Sequence, residues 1–277
     1  MIFEKAYAKI NLTLSITGRL PDGYHSLETV MQTVSLFDDV SVEKSDTLRV
    51  ECGALSGESN LAYKAAKAFF EHAGIRGGAV ISITKRIPVY GGFGGGSADA
   101  AATLRALNAL YDAGLSYSEL CALASKLGSD VPFLIKGGTA LCTGKGEIMT
   151  PIKCKTPLYY CLCAPSQGAS TAEMFARADK FAFFAPRGEE MARSLERGDI
   201  NAAAYALHND FTDICSSVVP ETALMRFSLL GCGALNSSLT GSGSGCFGVF
   251  ANKAGAENAA AAMGKDVFAC AAETVAR

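Results

Sequence analysis

The chain has 277 residues, 49% of them apolar, and a formal net charge of −2. That length and apolar content suffice for a buried core without disulfide or metal staples, in one large domain or two ordinary ones. The near-balanced charge, with no basic run longer than Lys85-Arg86, argues against a nucleic-acid partner. The ten cysteines include no CxxC pair, so the zinc and thioredoxin readings fail. They are expected to be reduced thiols of a cytoplasmic protein, mostly small core residues. The opening MIFEKAYAKI carries Glu4 and does not read as a signal peptide. No apolar run reaches the roughly 18 residues of a membrane span.

The first segment, AYAKINLTLSITGR, alternates. Ile10, Leu12, Leu14 and Ile16 share one face, and Lys9, Asn11, Thr13 and Ser15 share the other, as in a half-buried antiparallel strand. A turn follows around Asp22-Gly23. VMQTVSLFDDVSVEKS and TLRVEC read as further strands. Residues 59–73 read as a helix capped by Ser59 or Asn60 and stopped by Gly74.

AVISITKRIPV is a strand ended by Pro88. A glycine-rich loop then runs into a helix from about Ser97 to Tyr111, with Ala100, Leu104, Leu107 and Tyr111 on one face. Ser116 and Glu119 form a capping box for the next helix, whose apolar face is Leu120, Leu123, Ala124 and Leu127 and whose stop is Gly128. Residues 133–150 are expected to hold strands around a Gly137-Gly138 turn and a TGKGE turn.

Thr156-Pro157 opens the strand PLYYCLCAP and is the expected domain boundary, dividing the chain into residues 1–155 and 156–277. Two or three helices should follow, then the strand CFGVFA preceded by a second glycine-rich stretch, LTGSGSG. Strands and helices are mixed rather than strictly alternating, which indicates an α+β fold.

The strongest chemical signal is PVYGGFGGGSADAAATLRALN, with five glycines among six positions before a helix. Glycines let backbone N–H groups approach an anion closely, and the helix N-terminus adds partial positive charge. A phosphate chain is the natural guest; a purely structural turn is the plainer reading. A Walker A loop is excluded because Gly96 is followed by Ser97-Ala98 rather than Lys-Ser or Lys-Thr. A Rossmann loop competes, but about 20 residues on it wants a strand ending in an acid. Here the chain is still helical and turning near Tyr111 to Ser118.

These motifs, with AYAKINLTLSITGRLPDGYHSLETV, LGSDVPFLIKGGTALCTGKGE and LTGSGSGCFGVF, resemble those of the GHMP kinases over nearly the whole chain. The resemblance is weakest from about Phe175 to Val218. It implies a two-domain α+β fold, an N-terminal ATP-binding domain and a C-terminal domain, with the active site in the cleft between them. It implies an ATP-dependent phosphotransferase with an alcohol as acceptor, and Mg²⁺ accompanying ATP. AKINL with DGYH narrows the implied substrate to one carrying a cytidine diphosphate group. The alternatives are a GHMP kinase acting on another alcohol and a non-catalytic ligand sensor of the same fold.

At matched positions the resemblance implies catalytic roles for Lys9 and Asp130. It implies an ATP loop made of Pro88, Val89, Tyr90, Gly91, Gly92, Phe93, Gly94, Gly95, Gly96, Ser97 and Ala98, with Asn60 and Lys85 near the adenine. Asn11, Tyr24, His25 and Thr171 fall on the substrate side, Tyr24 and His25 around the cytosine. No protein metal site is implied. Read without the resemblance, Lys9 is a solvated edge lysine and Asp130 a helix N-cap in about equal measure with catalysis.

Two positions depart from the family pattern. Tyr90 stands where relatives carry glycine, which would strain a positive φ. Ala98 replaces a frequent second serine, leaving Ser97 as the hydroxyl for metal or phosphate. Either a monomer or a homodimer fits the sequence.

Overall fold

The computed structural model describes residues 1–276 except 90, 167, 181–184 and 265. In chain order the elements are β1 (Ile2–Arg19), β2 (His25–Ser45), β3 (Arg49–Glu51), α1 (Leu61–Ala73), β4 (Gly78–Thr84), α2 (Gly95–Leu110), α3 (Tyr117–Ser125) and α4 (Val131–Lys136). There follow β5 (Thr139–Gly144), β6 (Ile148–Pro151), β7 (Tyr159–Ala164), α5 (Thr171–Ala178), α6 (Gly188–Arg197), α7 (Ile200–Tyr205), β8 (His208–Asn209) and α8 (Thr212–Val218). The chain ends with α9 (Glu221–Gly231), β9 (Asn236–Leu239), β10 (Cys246–Phe250), α10 (Lys253–Ala262) and β11 (Phe268–Glu273). No helix among the described residues is long and apolar enough to cross a membrane.

Two compact units emerge, each discontinuous in sequence. One comprises Met1–Ala8, Leu36–Ile87 and Gly94–Gly137; the other comprises Lys9–Ser35, Pro88–Phe93 and Gly138–Arg277.

In the first unit, β4 pairs antiparallel with the last part of β2, from Asp39 opposite Thr84 to Ser45 opposite Gly78, and β3 joins β4 in parallel. Helices α1 and α2 pack together, and α4 packs on both α2 and α3. Alanines at the buried positions of α1 and α2 let the helices approach closely, with Phe69, Leu104 and Leu107 filling the core. Asn60 caps α1 through Ala62 N, and Gly74 ends it in the left-handed region, as expected. The Ser116–Glu119 capping box is formed. Residues 131–136 are helical, so the strands expected from 133 begin only at Thr139. Pro132 in the first turn is compatible with a helix start.

In the second unit, the first part of β2 pairs with β5, from Leu27 opposite Gly144 to Gln32 opposite Thr139, and β5 forms a hairpin with β6. Leu14 and Thr13 of β1 lie beside β8 in parallel. A separate four-stranded antiparallel sheet has the order β11-β7-β10-β9. Its core gathers Cys161, Cys163 and Cys246 with Phe211, Leu229 and Phe250. Burial pushes the Cys161 and Cys246 thiols up to about 12, so these cysteines serve as small apolar side chains. Among the described residues five helices precede β10 in this part of the chain, where two or three were expected.

One expectation for β1 is overturned. Lys9, Asn11, Thr13 and Ser15 are each at most 3% exposed, as buried as the apolar residues that alternate with them. The strand is covered on both faces, and Lys9 is not a solvated edge lysine.

Candidate active site

The buried polar stripe of β1 requires partners, because an unpaired polar group in the interior is costly. Lys9 Nζ donates to Asn11 Oδ1 at 2.7 Å. The same oxygen accepts from Gly241 N at 2.9 Å, and Asn11 N donates to Thr240 Oγ1 at 3.1 Å. Asn11 Nδ2 donates to Thr29 Oγ1 at 2.8 Å, which in turn donates to the Thr13 carbonyl. Lys9 N donates to Phe93 O at 3.0 Å. The second unit thus joins three sequence motifs at Lys9: the first strand, the segment Gly91 to Phe93, and the LTGSGSG stretch.

The glycines there are needed for loop-on-loop packing. A Cβ on Gly92, at φ +71°, would fall within 3.0 Å of the Thr240 carbonyl oxygen, and one on Gly245 within 3.0 Å of the Gly91 carbonyl oxygen. Thr240 Oγ1 also donates to Gly92 O at 3.3 Å. The Phe93 ring is fully buried, so only its backbone can face a ligand. Val89 is exposed, Pro88 is half-buried, and Tyr90 lies outside the described residues.

The rest of the glycine run belongs to the first unit and opens α2. Gly94 is left-handed at the N-cap, and Gly95, Gly96 and Ser97 form the first turn, whose N–H groups have no carbonyl one turn back. A Cβ on Gly96 would meet nothing within 4 Å. An open helix start of this kind is suited to an anion. Ala98 is buried, so its missing hydroxyl leaves a core methyl rather than a gap in the site. Ser97 is half-buried and keeps its hydroxyl at that end.

Lys85 lies beneath this turn. Its Nζ is 3.2 Å from where a Cβ on Gly95 would stand, and it is shared by Asp38 Oδ2 at 2.5 Å and Asp99 Oδ2 at 2.7 Å. Asp38 Oδ1 accepts from Arg86 N and Ile87 N, which fixes the strand exit that leads to the loop. Burial pushes the Asp99 carboxyl up to about 7; Lys85 opposes the shift and Asp38 adds to it. Burial works against the Lys85 charge, but the two carboxylates together hold its pKa above the ordinary value. Asp38 and Asp99 were missed in the sequence, where an acid in an alternating strand and one near the start of a helix both pass for surface residues. Asn60 is occupied structurally: Oδ1 caps Ala62 N at 2.8 Å and Nδ2 donates to Leu55 O at 2.9 Å.

Asp130 stands at the N-cap position of α4, half-buried, with helical backbone angles and no side-chain capping bond. The plain N-cap reading of this carboxylate therefore fails.

Within the second unit, His25 Nε2 and Asp179 Oδ1 are 2.8 Å apart, and the imidazole lies against Phe175 with centroids 5.1 Å apart. Phe175 packs edge-on to the buried Phe211. The turn before His25 is held by Leu20 N to Tyr24 O and by Tyr24 N to Asp22 Oδ1. Tyr24 is 62% exposed, with Lys145 Nζ 4.2 Å from its ring centroid. Thr171, at the start of α5, accepts from Ser242 Oγ at 3.1 Å. One helix thus carries Thr171 to the LTGSGSG stretch and Phe175 to His25. Phe175 went unnoticed because its segment gave the weakest sequence signal.

The chain matches known proteins in both sequence and fold. Residues 60–138 match the GHMP kinases N terminal domain and residues 191–270 the GHMP kinases C terminal domain. The chain is 41% identical over 263 residues to 4-diphosphocytidyl-2-C-methyl-D-erythritol kinase of Desulfitobacterium hafniense (strain Y51), covering 92% of this chain and 89% of that one. It is 40% identical over 257 residues to the enzyme of that name from Geobacillus kaustophilus (strain HTA426), covering 88% and 87%. A crystal structure of 4-(cytidine 5'-diphospho)-2C-methyl-D-erythritol kinase superposes over 100% of both chains with a TM-score of 0.87 and 34% identity. On sequence and fold together, the chain belongs to the 4-diphosphocytidyl-2-C-methyl-D-erythritol kinase family of the GHMP kinases.

Proposed function

We propose that this chain transfers the γ-phosphoryl group of ATP to the 2-hydroxyl of 4-diphosphocytidyl-2-C-methyl-D-erythritol, a step of non-mevalonate isoprenoid precursor synthesis. The curated relatives that carry this name support it. The observation that carries it is the buried Lys9 ammonium, fixed by Asn11 beside the two glycine loops. Burying a lysine is costly, which suits a side chain kept for its charge.

Phosphoryl transfer needs positioning and charge neutralisation more than covalent chemistry. The N–H groups at the start of α2 bind the phosphates of ATP. Asp130, not engaged as a cap, takes the proton of the acceptor hydroxyl. Lys9 steadies the charge on the transferring group, and the Asn11 side chain holds the ammonium to one position. Tyr24 and His25, with Phe175 behind the imidazole, take the cytosine, and Thr171 lies on the far wall of that pocket. Lys85 and Asn60 shape the adenine side through the Asp38–Asp99 cluster and the start of α1.

Mg²⁺ accompanying ATP would keep most of its ligands as water and phosphate oxygen, so one or two protein oxygens would suffice. Among the described residues no group of three or more His, Cys, Asp or Glu could hold a metal by itself. The half-buried Ser97 hydroxyl, at the phosphate end of α2, fits such a minor share. When bound, the ion neutralises phosphate charge.

The test is a phosphorylation assay with ATP and a panel of alcohols. Turnover confined to the cytidyl substrate is expected. Turnover of another alcohol would place the chain with a different GHMP kinase, and binding without turnover would make it a sensor.

A further inference from the structure

Asn209, the second residue of the short strand β8, is only 5% exposed. Its Nδ2 donates to Leu239 O at 3.0 Å and to Gly241 O at 2.9 Å, and its Oδ1 accepts from Phe211 N at 2.9 Å. Its strand is anchored next to β1, with Asn209 opposite Leu14. The loop that it grips turns back onto the Lys9 network. Gly241 N donates to Asn11 Oδ1 at 2.9 Å, and that oxygen holds Lys9 Nζ at 2.7 Å. A continuous chain of hydrogen bonds, part-buried at Gly241 and buried at Lys9, runs from Asn209 through Gly241 and Asn11 to Lys9.

We propose that Asn209 is a positioning residue for phosphoryl transfer. By clamping the two carbonyls of the Leu239–Gly241 segment, it fixes Gly241 N–H on Asn11, and Asn11 then orients the Lys9 ammonium. The residue type fits the task. One planar amide supplies two N–H donors to two carbonyls two residues apart, while its oxygen secures the start of the following turn. Aspartate would set a carboxylate oxygen against two carbonyls, and alanine would take the side-chain donor from the Gly241 carbonyl and leave Leu239 O to Ser238 Oγ. Lysine has a flexible four-carbon stem, so its charge stays in one place only if the acceptor it meets is itself fixed. This proposal rests on the reading of Lys9 as catalytic.

The test is a double-mutant cycle of Asn209→Ala and Lys9→Met in the full chain, with kcat, both KM values and urea unfolding for each variant. Asn209→Ala should lower kcat by about tenfold to a hundredfold, since a misplacement of an ångström is enough for the larger loss. Both KM values should move by less than about threefold, the pattern for an interaction made in the transition state. In the Lys9→Met background the same substitution should cost almost nothing further in kcat. A merely structural role predicts a loss that multiplies with that of Lys9→Met, or lost stability at unchanged kcat; either result overturns the proposal alone. Wild-type turnover in Lys9→Met overturns the reading of Lys9 and the proposal with it. Should Asn209→Ala not fold, Gly241→Ala addresses the same link, because its new Cβ would lie 3.2 Å from Gly92 O and 3.5 Å from Lys9 Nζ. It should show the same dependence on Lys9, and independence from Lys9 would overturn the proposal.

Discussion

Gly245 lies directly on Gly91: any Cβ on Gly245 would fall within 3.0 Å of the Gly91 carbonyl oxygen, a backbone atom that cannot swing away. The glycines of LTGSGSG and of the first loop therefore fit each other as well as any ligand. Gly245→Ala should destabilise the fold by about 1–3 kcal/mol, the range for forced overpacking. Urea unfolding measures this without any ligand. Stability equal to wild type would show that the two loops can separate.

Gly96 is the contrasting case, since a Cβ there meets nothing within 4 Å. Gly96→Ala should leave stability unchanged or raise it by up to about 1 kcal/mol, because alanine is the better helix residue. If phosphate packs against this turn, ATP affinity should fall all the same. Gly95→Val should lose more, as its Cβ would stand 3.0 Å from Ile87 Cγ2 and 3.2 Å from Lys85 Nζ. Calorimetry with ATP separates the two effects, and undiminished affinity in both variants would remove the phosphates from this end of α2.

The Asp99 carboxyl, pushed up to about 7 by burial, has a definite signature in pH. Between the ordinary carboxylate range and neutrality, the folded protein holds a proton that the unfolded chain has released. The resulting stability is complete at low pH and is lost as pH rises through about 7. Asp99→Asn has no such proton to lose. Its stability relative to wild type should therefore climb from pH 5 to pH 8, as read by urea unfolding at both. A difference that stays flat or falls would mean that Asp99 is already ionised beside Lys85 at pH 5.

Tyr24 has the Lys145 ammonium 4.2 Å from its ring centroid, and the proposed function stacks the cytosine on this ring. Base stacking on an aromatic side chain is worth about 1–3 kcal/mol. Tyr24→Ala should raise KM for the cytidyl substrate by about tenfold or more and leave that for ATP alone. Equal use of a uridine analogue by the wild type would count against base reading at this turn.

Local chemistry was legible in the sequence. Asn60, Gly74 and the Ser116–Glu119 box mark helix ends through neighbours a few residues away, and the structure forms all three. What was not legible depends on distant partners. The alternation of β1 located Lys9 and Asn11 on one face, but the groups that bury that face, Thr240 and Gly241, come some 230 positions later. A separation of 148 positions, from Gly92 to Thr240, likewise hides why Gly92 is a glycine. Helices α7 and α8, of 6 and 7 residues, are too short to show a full amphipathic period. Strands β9 and β11, reading NSSL and FACAAE, lack the β-branched residues that announce a strand.

Asp130 and Lys9 can be tested with substitutions that keep side-chain shape or length. Asp130 makes no side-chain capping bond to α4, and Asp130→Asn keeps the shape of the side chain, so the variant should fold, as urea unfolding checks. Lys9 is 3% exposed, and methionine can fill its track with an apolar chain of similar length. Asn11 Oδ1 retains Gly241 N in that variant. Turnover is where both changes should register. Loss of a general base costs about 10²–10⁴-fold, so Asp130→Asn should fall by that order while ATP and the cytidyl substrate still bind. Lys9→Met removes positive charge that counts most while the phosphoryl group is in flight, and kcat should fall more than either KM rises. If the two groups act on one proton transfer, the double variant should lose less than the product of the single losses. Single-turnover rates with both ligands saturating give the four values. Wild-type turnover in a folded Asp130→Asn would take the base out of this mechanism and leave Lys9 to act on the phosphoryl group alone.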